Sequence, residues 1–322
     1  MSQVPERASR KSPSRPLRAL RLRIKAALNV VLFGILNACV ISPLLLSRNH
    51  LLRFNLFEAI GRSRYRGPLI SGGDQVWFVH DSRDRGPGRD LFIRGTQDFA
   101  KYETACQLLR DHDVPPVTTL VDVGANIGTI CIPAVKGGFV DRAIAVEAVP
   151  DIARLLHTNI ALNGLTSAIS VITAAVSARS GEIIQVMVNG ANQGDNRVVV
   201  SRLDDPDAAR FIATIPVATT TLDDLLPDGA DGVLVWMDIQ GHEGIALSGA
   251  CRTMVKQPPL VLEFCPMLMD QAGSYGALKS AVAGYRGFYD LANPVALRPI
   301  SGLDALRTAL GQTGRFTDIL LL

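Results

Sequence analysis

Between residues 120 and 174, short apolar runs alternate with longer segments of helical period. The pattern predicts a strand over 120–124, a helix over 127–137, a strand over 143–147, a helix over 150–163 and a strand over 169–174. Consecutive strands joined by helices can only pair in parallel, with the crossover helices covering the faces of the sheet. That requirement removes the all-helical and all-β classes at once. At 322 residues, with 48% hydrophobic and 20% charged content, the chain can hold one large α/β domain plus extensions.

The first turn of this unit reads Val121-Asp122-Val123-Gly124-Ala125-Asn126-Ile127-Gly128. A strand, a glycine turn and a helix start place backbone N–H groups and the positive helix end beside a ligand. The dinucleotide fingerprint G-x-G-x-x-G is not met, because Asn126 stands at its second glycine. The second strand ends at Glu147, where a nucleotide-binding βαβ unit places the acid that accepts hydrogen bonds from ribose hydroxyls. Read blandly, the glycines serve packing and Glu147 is a solvated strand end. Taken together they point to a ligand site.

Farther along, 182–188 and 197–201 predict a β-hairpin around a long polar loop, 189–196, that suits a lid or an acceptor loop. Residues 215–219 predict a strand, and Thr221-Leu222-Asp223-Asp224 a short helix. Core strands follow at 233–237 and 260–262, ending at Asp238 and Glu263, with a helix over 243–253 between them. The chain closes with a helix at 274–283, an extended run at 288–291 and an apolar strand at 317–322. Upstream, residues 50–70 predict a linking helix and loop, 75–80 and 90–94 two strands around a Gly/Pro turn, and 98–110 a helix.

Asp122, Glu147, Asp238 and Glu263 therefore fall near the carboxyl ends of four predicted strands, the edge over which parallel sheets bind ligands. His242 lies close to two acids, Asp238 and Glu243. It suits a general base or acceptor-positioning group, and equally a helix-start residue bonded to backbone. No i, i+4 histidine pair supports a metal. The five cysteines are scattered, without CxxC spacing, and fit buried small hydrophobes in a reducing compartment.

Charge is concentrated at the N-terminus. Eight Lys and Arg residues face one acid in the first 25 positions, although the whole chain carries only +3. The rest is mildly acidic, which argues against nucleic acid as a partner. Residues 17–25 alternate apolar and basic side chains at helical spacing, and 26–46 carry no charge. Three readings stay open: a signal anchor, an interfacial helix on the cytoplasmic membrane surface, and a helical extension packed on the domain. The expected division is thus 1–50 as basic tail and apolar helix, 51–100 as linking helix and hairpin, and 101–322 as the main domain.

Taken as a set, the 121–128 turn, Glu147, Asn159-Ile160-Ala161-Leu162-Asn163-Gly164-Leu165, Leu222-Asp223 and Asp238-Ile239-Gln240-Gly241-His242-Glu243 resemble the FkbM-type methyltransferases over about residues 100–265. The resemblance implies a class I methyltransferase fold, Rossmann-like, with a mostly parallel seven-stranded sheet flanked by helices. It implies S-adenosylmethionine as cofactor and methyl transfer to a hydroxyl of a sugar, lipid-linked glycan or polyketide-like acceptor. By position, Gly124, Ala125, Asn126 and Gly128 form the loop under the methionine moiety, with Asp122 beneath it. Glu147 clamps the ribose, Glu103 is an acid near the cofactor, Asp238 stands beside the transferred methyl, and His242 is the preferred base. The family pattern Lys-x-Asp-x-Glu-Gly-x-Glu is departed from at Trp236 and Gln240. These departures motivate a rival, a catalytically weakened membrane-associated binding protein. A second rival, an NAD-dependent oxidoreductase, is disfavoured by Asn126.

Overall fold

A computed structural model describes residues 49–65, 67–72, 75–199, 208–226, 229 and 231–322. The chain divides into two compact units, Met1–Arg53 and Phe54–Leu322. The readings of the basic tail and of 26–46 lie outside the described residues.

The described chain begins with α1 (His50–Arg62), then β1 (Pro68–Gly72) and β2 (Trp77–Asp81), which form an antiparallel hairpin. Next come α2 (Pro87–Arg94) and α3 (Phe99–Asp111). The expected strand at 90–94 is corrected to helix. Pro87 opens α2 with its φ already helical, Gly95 closes it in the left-handed region, and Asp84 accepts from the N–H groups of Gly86 and Gly88 at 3.1 and 2.7 Å. β2 pairs instead with β1, a stretch expected at the end of the linking loop.

The main domain follows as β3 (Thr119–Val123), α4 (Cys131–Lys136), β4 (Arg142–Val146), α5 (Pro150–Leu162) and β5 (Ile169–Ile172). The βαβαβ expectation holds, but α4 starts four residues late. Gly128 sits at φ +94 and Ile127 N–H bonds to the Asn126 side chain, so the chain turns through 124–130 before the helix begins. Asp122 then accepts from Cys131 N–H at 3.1 Å, capping the helix from inside the preceding strand.

The strands β6 (Ala175–Val176), β7 (Ile183–Asn189), β8 (Arg197–Val198) and β9 (Phe211–Thr220) form a second sheet in the order β6-β9-β7-β8, including the expected hairpin. After α6 (Leu222–Leu225) and β10 (Val233–Met237), the helix expected over 243–253 is split into α7 (Glu243–Ser248) and α8 (Cys251–Val255). Asp223 explains the break. Its carboxylate accepts from Arg252 N, Thr253 N and Thr253 Oγ1 at 2.8–2.9 Å, a cap supplied from α6 that restarts the helix. The chain ends with β11 (Leu260–Phe264), α9 (Pro266–Ala272), α10 (Tyr275–Val282), β12 (Phe288–Asp290), α11 (Leu303–Leu310) and β13 (Thr317–Leu321).

Seven strands form the main sheet in the order β12-β13-β11-β10-β3-β4-β5, with β13 antiparallel to both neighbours. β3 and β10 are adjacent and parallel, and the chain winds away from them in opposite directions. This is the topological switch point, where a crevice opens beyond the strand ends. Along β3 and β10 the side chains alternate between two cores. Leu120, Leu234 and Trp236 serve one face, while Val121, Val123, Val235 and Met237 serve the other.

Candidate active site

The crevice at the switch point is floored by the turn after β3. Gly124 and Ala125 both donate to the Val146 carbonyl, at 2.9 and 3.0 Å, so the turn folds back over the end of β4. Gly124 has φ +83, and a Cβ there would collide with the Asp238 carbonyl oxygen. The two strand ends can therefore approach only because this residue has no side chain. Asn126 also adopts the left-handed region, at φ 51, where asparagine is tolerated. Its amide donates to the Gln193 carbonyl at 2.8 Å, joining the turn to the polar loop above.

Glu147 ties the turn together from the side. One oxygen accepts from Asn126 N at 3.0 Å and the other from Val149 N at 2.8 Å. The carboxylate itself lines the narrow compartment of the crevice. Burial pushes this carboxyl up to about 7 against the two backbone bonds that favour its charge. Around it, Val149, Ala174, Val176, Val198 and Ile239 wall an apolar slot, a shape suited to a flat ring. The slot is not legible from sequence, because its walls come from both sheets.

The crevice widens on its other side into a cleft of about 580 Å³. Gly124, Asn126, Gly194, Asp238 and Gln240 border both compartments. The wide compartment is lined by the acids Asp90, Asp98, Asp122, Asp195, Asp238, Glu263 and Asp318, against Lys101, Arg197 and Arg210. Lys101 is held by Asp98 and Asp318 at 2.7 and 2.6 Å, and Arg197 by Asp195 at 2.7 Å. Gln240 donates to Asp238 at 2.8 Å and to Glu263 at 3.1 Å. Burial raises both carboxyls well above the usual range, and the charge of neighbouring acids adds to it. Three residues strained at positive φ, Asp98, Asn126 and Gln240, line this one compartment. Such backbone strain gathers at functional sites.

Of the residues singled out in the sequence, Gly124, Ala125, Asn126, Asp122, Glu147, Asp238 and Glu263 are brought together here. Gly128 is not a contact of the crevice. Its missing side chain makes room for Ile132 and Leu156, and so seats α4 and α5 on the sheet. Glu103 lies outside the crevice lining. Tyr102 turns into the core, so the next residue on α3 points outward, and Glu103 lines a separate depression with Pro133 and Phe139. His242 borders only the narrow compartment and a small neighbouring recess. It is 6% exposed, contacts Ser177 Oγ through Nε2 at 3.2 Å, and burial lowers it to about 4, so it is neutral. Its neighbour Glu243 accepts from Ile239 N and Gly241 N at 3.0 and 3.3 Å and thereby fixes the loop that carries Gln240.

The polar loop 189–196 is strapped down. Asn189 Oδ1 accepts from Ala191 N and Asn192 N, Asp84 accepts from Gln193 N at 3.0 Å, and Arg85 N donates to Ala191 O at 2.7 Å. Trp236 lies beside Asp122 in the β10–β3 register and packs on Tyr102 at 5.8 Å between ring centres. Aromatic packing with Tyr102, Phe99 and Phe139 thus fills the place where a lysine was expected. The burial that results holds Asp122 up to about 6.

The strand order, the antiparallel β13 and a glycine turn at the switch point define a class I methyltransferase. The family described as Methyltransferase FkbM domain matches residues 122–283, and the chain belongs to that family. Solved structures give distant likenesses. A putative transferase from Pyrococcus horikoshii is 11% identical, with 87% of this chain and 84% of that one covered and a TM-score of 0.41. A B. subtilis tRNA methyltransferase is 11% identical, with 69% and 64% covered and a TM-score of 0.34. A precorrin-6y methyltransferase from Geobacter metallireducens is 13% identical, with 68% and 86% covered and a TM-score of 0.34. This chain therefore spans less than two thirds of the B. subtilis enzyme. No curated protein sequence matches.

The cofactor of these methyltransferases is S-adenosylmethionine, and the crevice fits it. Glu147 offers acceptors for ribose hydroxyls, the apolar slot takes a flat base, Gly124 leaves backbone bare at the floor, and Asp238 and Glu263 complement a positive sulfonium. Among the described residues no group of His, Cys, Asp and Glu is arranged to hold a metal.

Proposed function

We propose that the chain transfers a methyl group from S-adenosylmethionine to a hydroxyl oxygen of a neutral, hydroxyl-rich acceptor: a sugar, lipid-linked glycan or polyketide-like molecule. The observation that carries this reading is the wide acid-lined compartment sharing Gly124, Asp238 and Gln240 with the narrow slot. Carboxylates accept from hydroxyl donors and repel an anionic acceptor such as a nucleic acid backbone. Trp236 and Phe316 add apolar surface to the same compartment.

When bound, the cofactor supplies an already activated methyl, so the protein has to align the acceptor and handle its proton. Glu147 and the 124–126 turn hold the nucleoside end. Asp238, bordering both compartments, orients the acceptor hydroxyl and faces the developing charge. In this reading His242, expected from sequence as the base, instead supports the 238–242 loop through Ser177, because it does not border the wide compartment. Asp238 takes the catalytic role.

Incubation with methyl-labelled cofactor and glycans, glycolipids, polyketides or tRNA, followed by separation of the products, tests the acceptor class. Label on a hydroxyl of the first three supports the proposal, and label on tRNA alone overturns it. Residues 17–46 belong to the same proposal as a contact with the cytoplasmic membrane surface, preceding a linking region to residue 100 and the catalytic domain to 322. Among the described residues no helix is long and apolar enough to cross a membrane. Deleting residues 1–46 is expected to release the enzyme from a membrane fraction, and a fully soluble wild type would contradict the contact.

A further inference from the structure

Given the methyltransferase reading above, we infer that Gln240 clamps Asp238 and Glu263 into one coupled carboxyl pair that together retains a single proton, that the pair gives up this proton when a sulfonium is bound beside it, and that the bared pair takes the proton of the acceptor hydroxyl. Glu263 thereby becomes half of the catalytic base.

The geometry rests on one amide nitrogen. Gln240 Nε2 has two hydrogens, and it donates one to Asp238 at 2.8 Å and the other to Glu263 at 3.1 Å. Two carboxyls bound to one nitrogen are held closer than the two bonds laid end to end. The loop that carries the amide is held in place. Its backbone is fixed at φ 54, Glu243 accepts from the N–H groups on either side of it, and Ser274 Oγ donates to the Gly241 carbonyl at 2.6 Å.

The surroundings do not neutralise the pair. From α3 and its N-terminal cap, Lys101 and Asp98 face it, but Lys101 is shared by Asp98 and by Asp318 of β13. From β8, Arg197 is engaged by Asp195, and Arg210, just before β9, is exposed at the rim of the compartment. From α7 comes buried Glu243, from β3 Asp122, and next to β11 the thiol of Cys265, which burial raises. Among the described residues no basic side chain forms an ion pair with Asp238 or Glu263. Two carboxylates this close, with more acids around them, cannot both stay ionised, so one proton is retained. A positive charge at the shared border of the two compartments reverses that balance, because Asp238 lines both.

The proton count then closes over a cycle. Cofactor binding sends one proton from the pair to solvent. In the transfer the hydroxyl oxygen forms a bond to the methyl carbon, the carbon–sulfur bond breaks, and its electron pair stays on sulfur. The hydroxyl proton passes to the pair. The products are an ether and a neutral thioether, and the pair is left with one proton, as it began.

Calorimetry on the full chain near neutral pH, repeated in two buffers of different ionisation heat, reads this directly with S-adenosylmethionine and S-adenosylhomocysteine as ligands. The two differ by the methyl and its charge. The first is expected to release about one proton and the second close to none, and below neutrality the affinity for the first relative to the second should fall by up to about tenfold for each pH unit lowered. E263Q should bind both ligands and lose the difference in proton release, and D238N should do the same. Equal proton release for both ligands, or wild-type release from both variants, overturns the pair. If neither ligand binds, the methyltransferase reading itself fails and the pair with it.

Discussion

Glu147 shows how one side chain can serve the fold and the site together. Its two oxygens collect the N–H groups of Asn126 and Val149, which would otherwise be buried without acceptors. Replacement by alanine strands both donors and removes the acceptor for a ribose, so Glu147→Ala is expected to weaken cofactor binding by about 1–3 kcal/mol in a calorimetric titration. Unchanged affinity would remove Glu147 from the site. At this scale the sequence was partly legible. Gly124, Asn126, Glu147 and Asp238 could be read because each sits next to a strand end whose hydrophobic pattern is plain. For His242 the sequence is less informative, since adjacency to acids says nothing about which way a ring points after a turn; the ring borders the narrow compartment and not the wide one. Lys101, Asp98 and Asp318 went unseen because their meeting depends on β13 lying antiparallel against β11.

At the scale of elements, α5 carries a device that substitutes for a sheet edge. Asn159 and Asn163 lie four residues apart on one helical face, and each pairs its amide with the backbone of β2. Asn159 accepts from Val79 N at 2.7 Å and donates to Val79 O at 3.2 Å and to Ile127 O at 2.9 Å. Asn163 accepts from Trp77 N at 3.0 Å and donates to Trp77 O at 2.7 Å. The hairpin is thus fastened to a helix by side chains that imitate a neighbouring strand. Asn159→Ala is expected to cost about 1–3 kcal/mol of stability, the penalty for buried partners left unpaired. Faster amide hydrogen exchange at Val79 should accompany it, and wild-type exchange there would contradict the role. In sequence these asparagines looked like part of a helix end, because the strand they hold is some eighty positions upstream. The misread hairpin has the same origin. Proline and glycine mark a boundary clearly, but β1 was hidden in a weakly patterned stretch, and α2 is short enough to pass for a strand.

For residues 54–322 as a whole, the burial of acids sets a pH dependence. Glu147 and Glu243 are raised to about 7 and Asp122 to about 6, while His242 is lowered to about 4, all chiefly by burial. An acid with a raised folded value binds more protons in the folded state than in the unfolded one. Its stabilising contribution is therefore lost as pH rises through that folded value. Buried neutral histidine acts the other way, losing stability as pH falls below its unfolded value near 6.5 toward 4. Above about pH 7 the unfolded-state histidines are mostly neutral and the raised acids dominate, so the melting temperature of the ligand-free protein is expected to fall between about pH 7 and 8. A flat or rising melting temperature would contradict the buried, uncompensated acids. This consequence of the fold was not legible in the sequence. Four acids at strand ends could be counted there, but whether they were solvated or sealed depended on the polar loop strapped over them and on the aromatic packing of Trp236 against Tyr102.

Asp122, Asp238 and Glu263 line a compartment suited to a positive charge. Calorimetric titration of the purified full chain with S-adenosylmethionine, with NAD as control, tests that assignment most directly. Micromolar binding of S-adenosylmethionine, with none of NAD, is the expected result. Binding of NAD alone, or of neither, would contradict a methyltransferase site at the switch point.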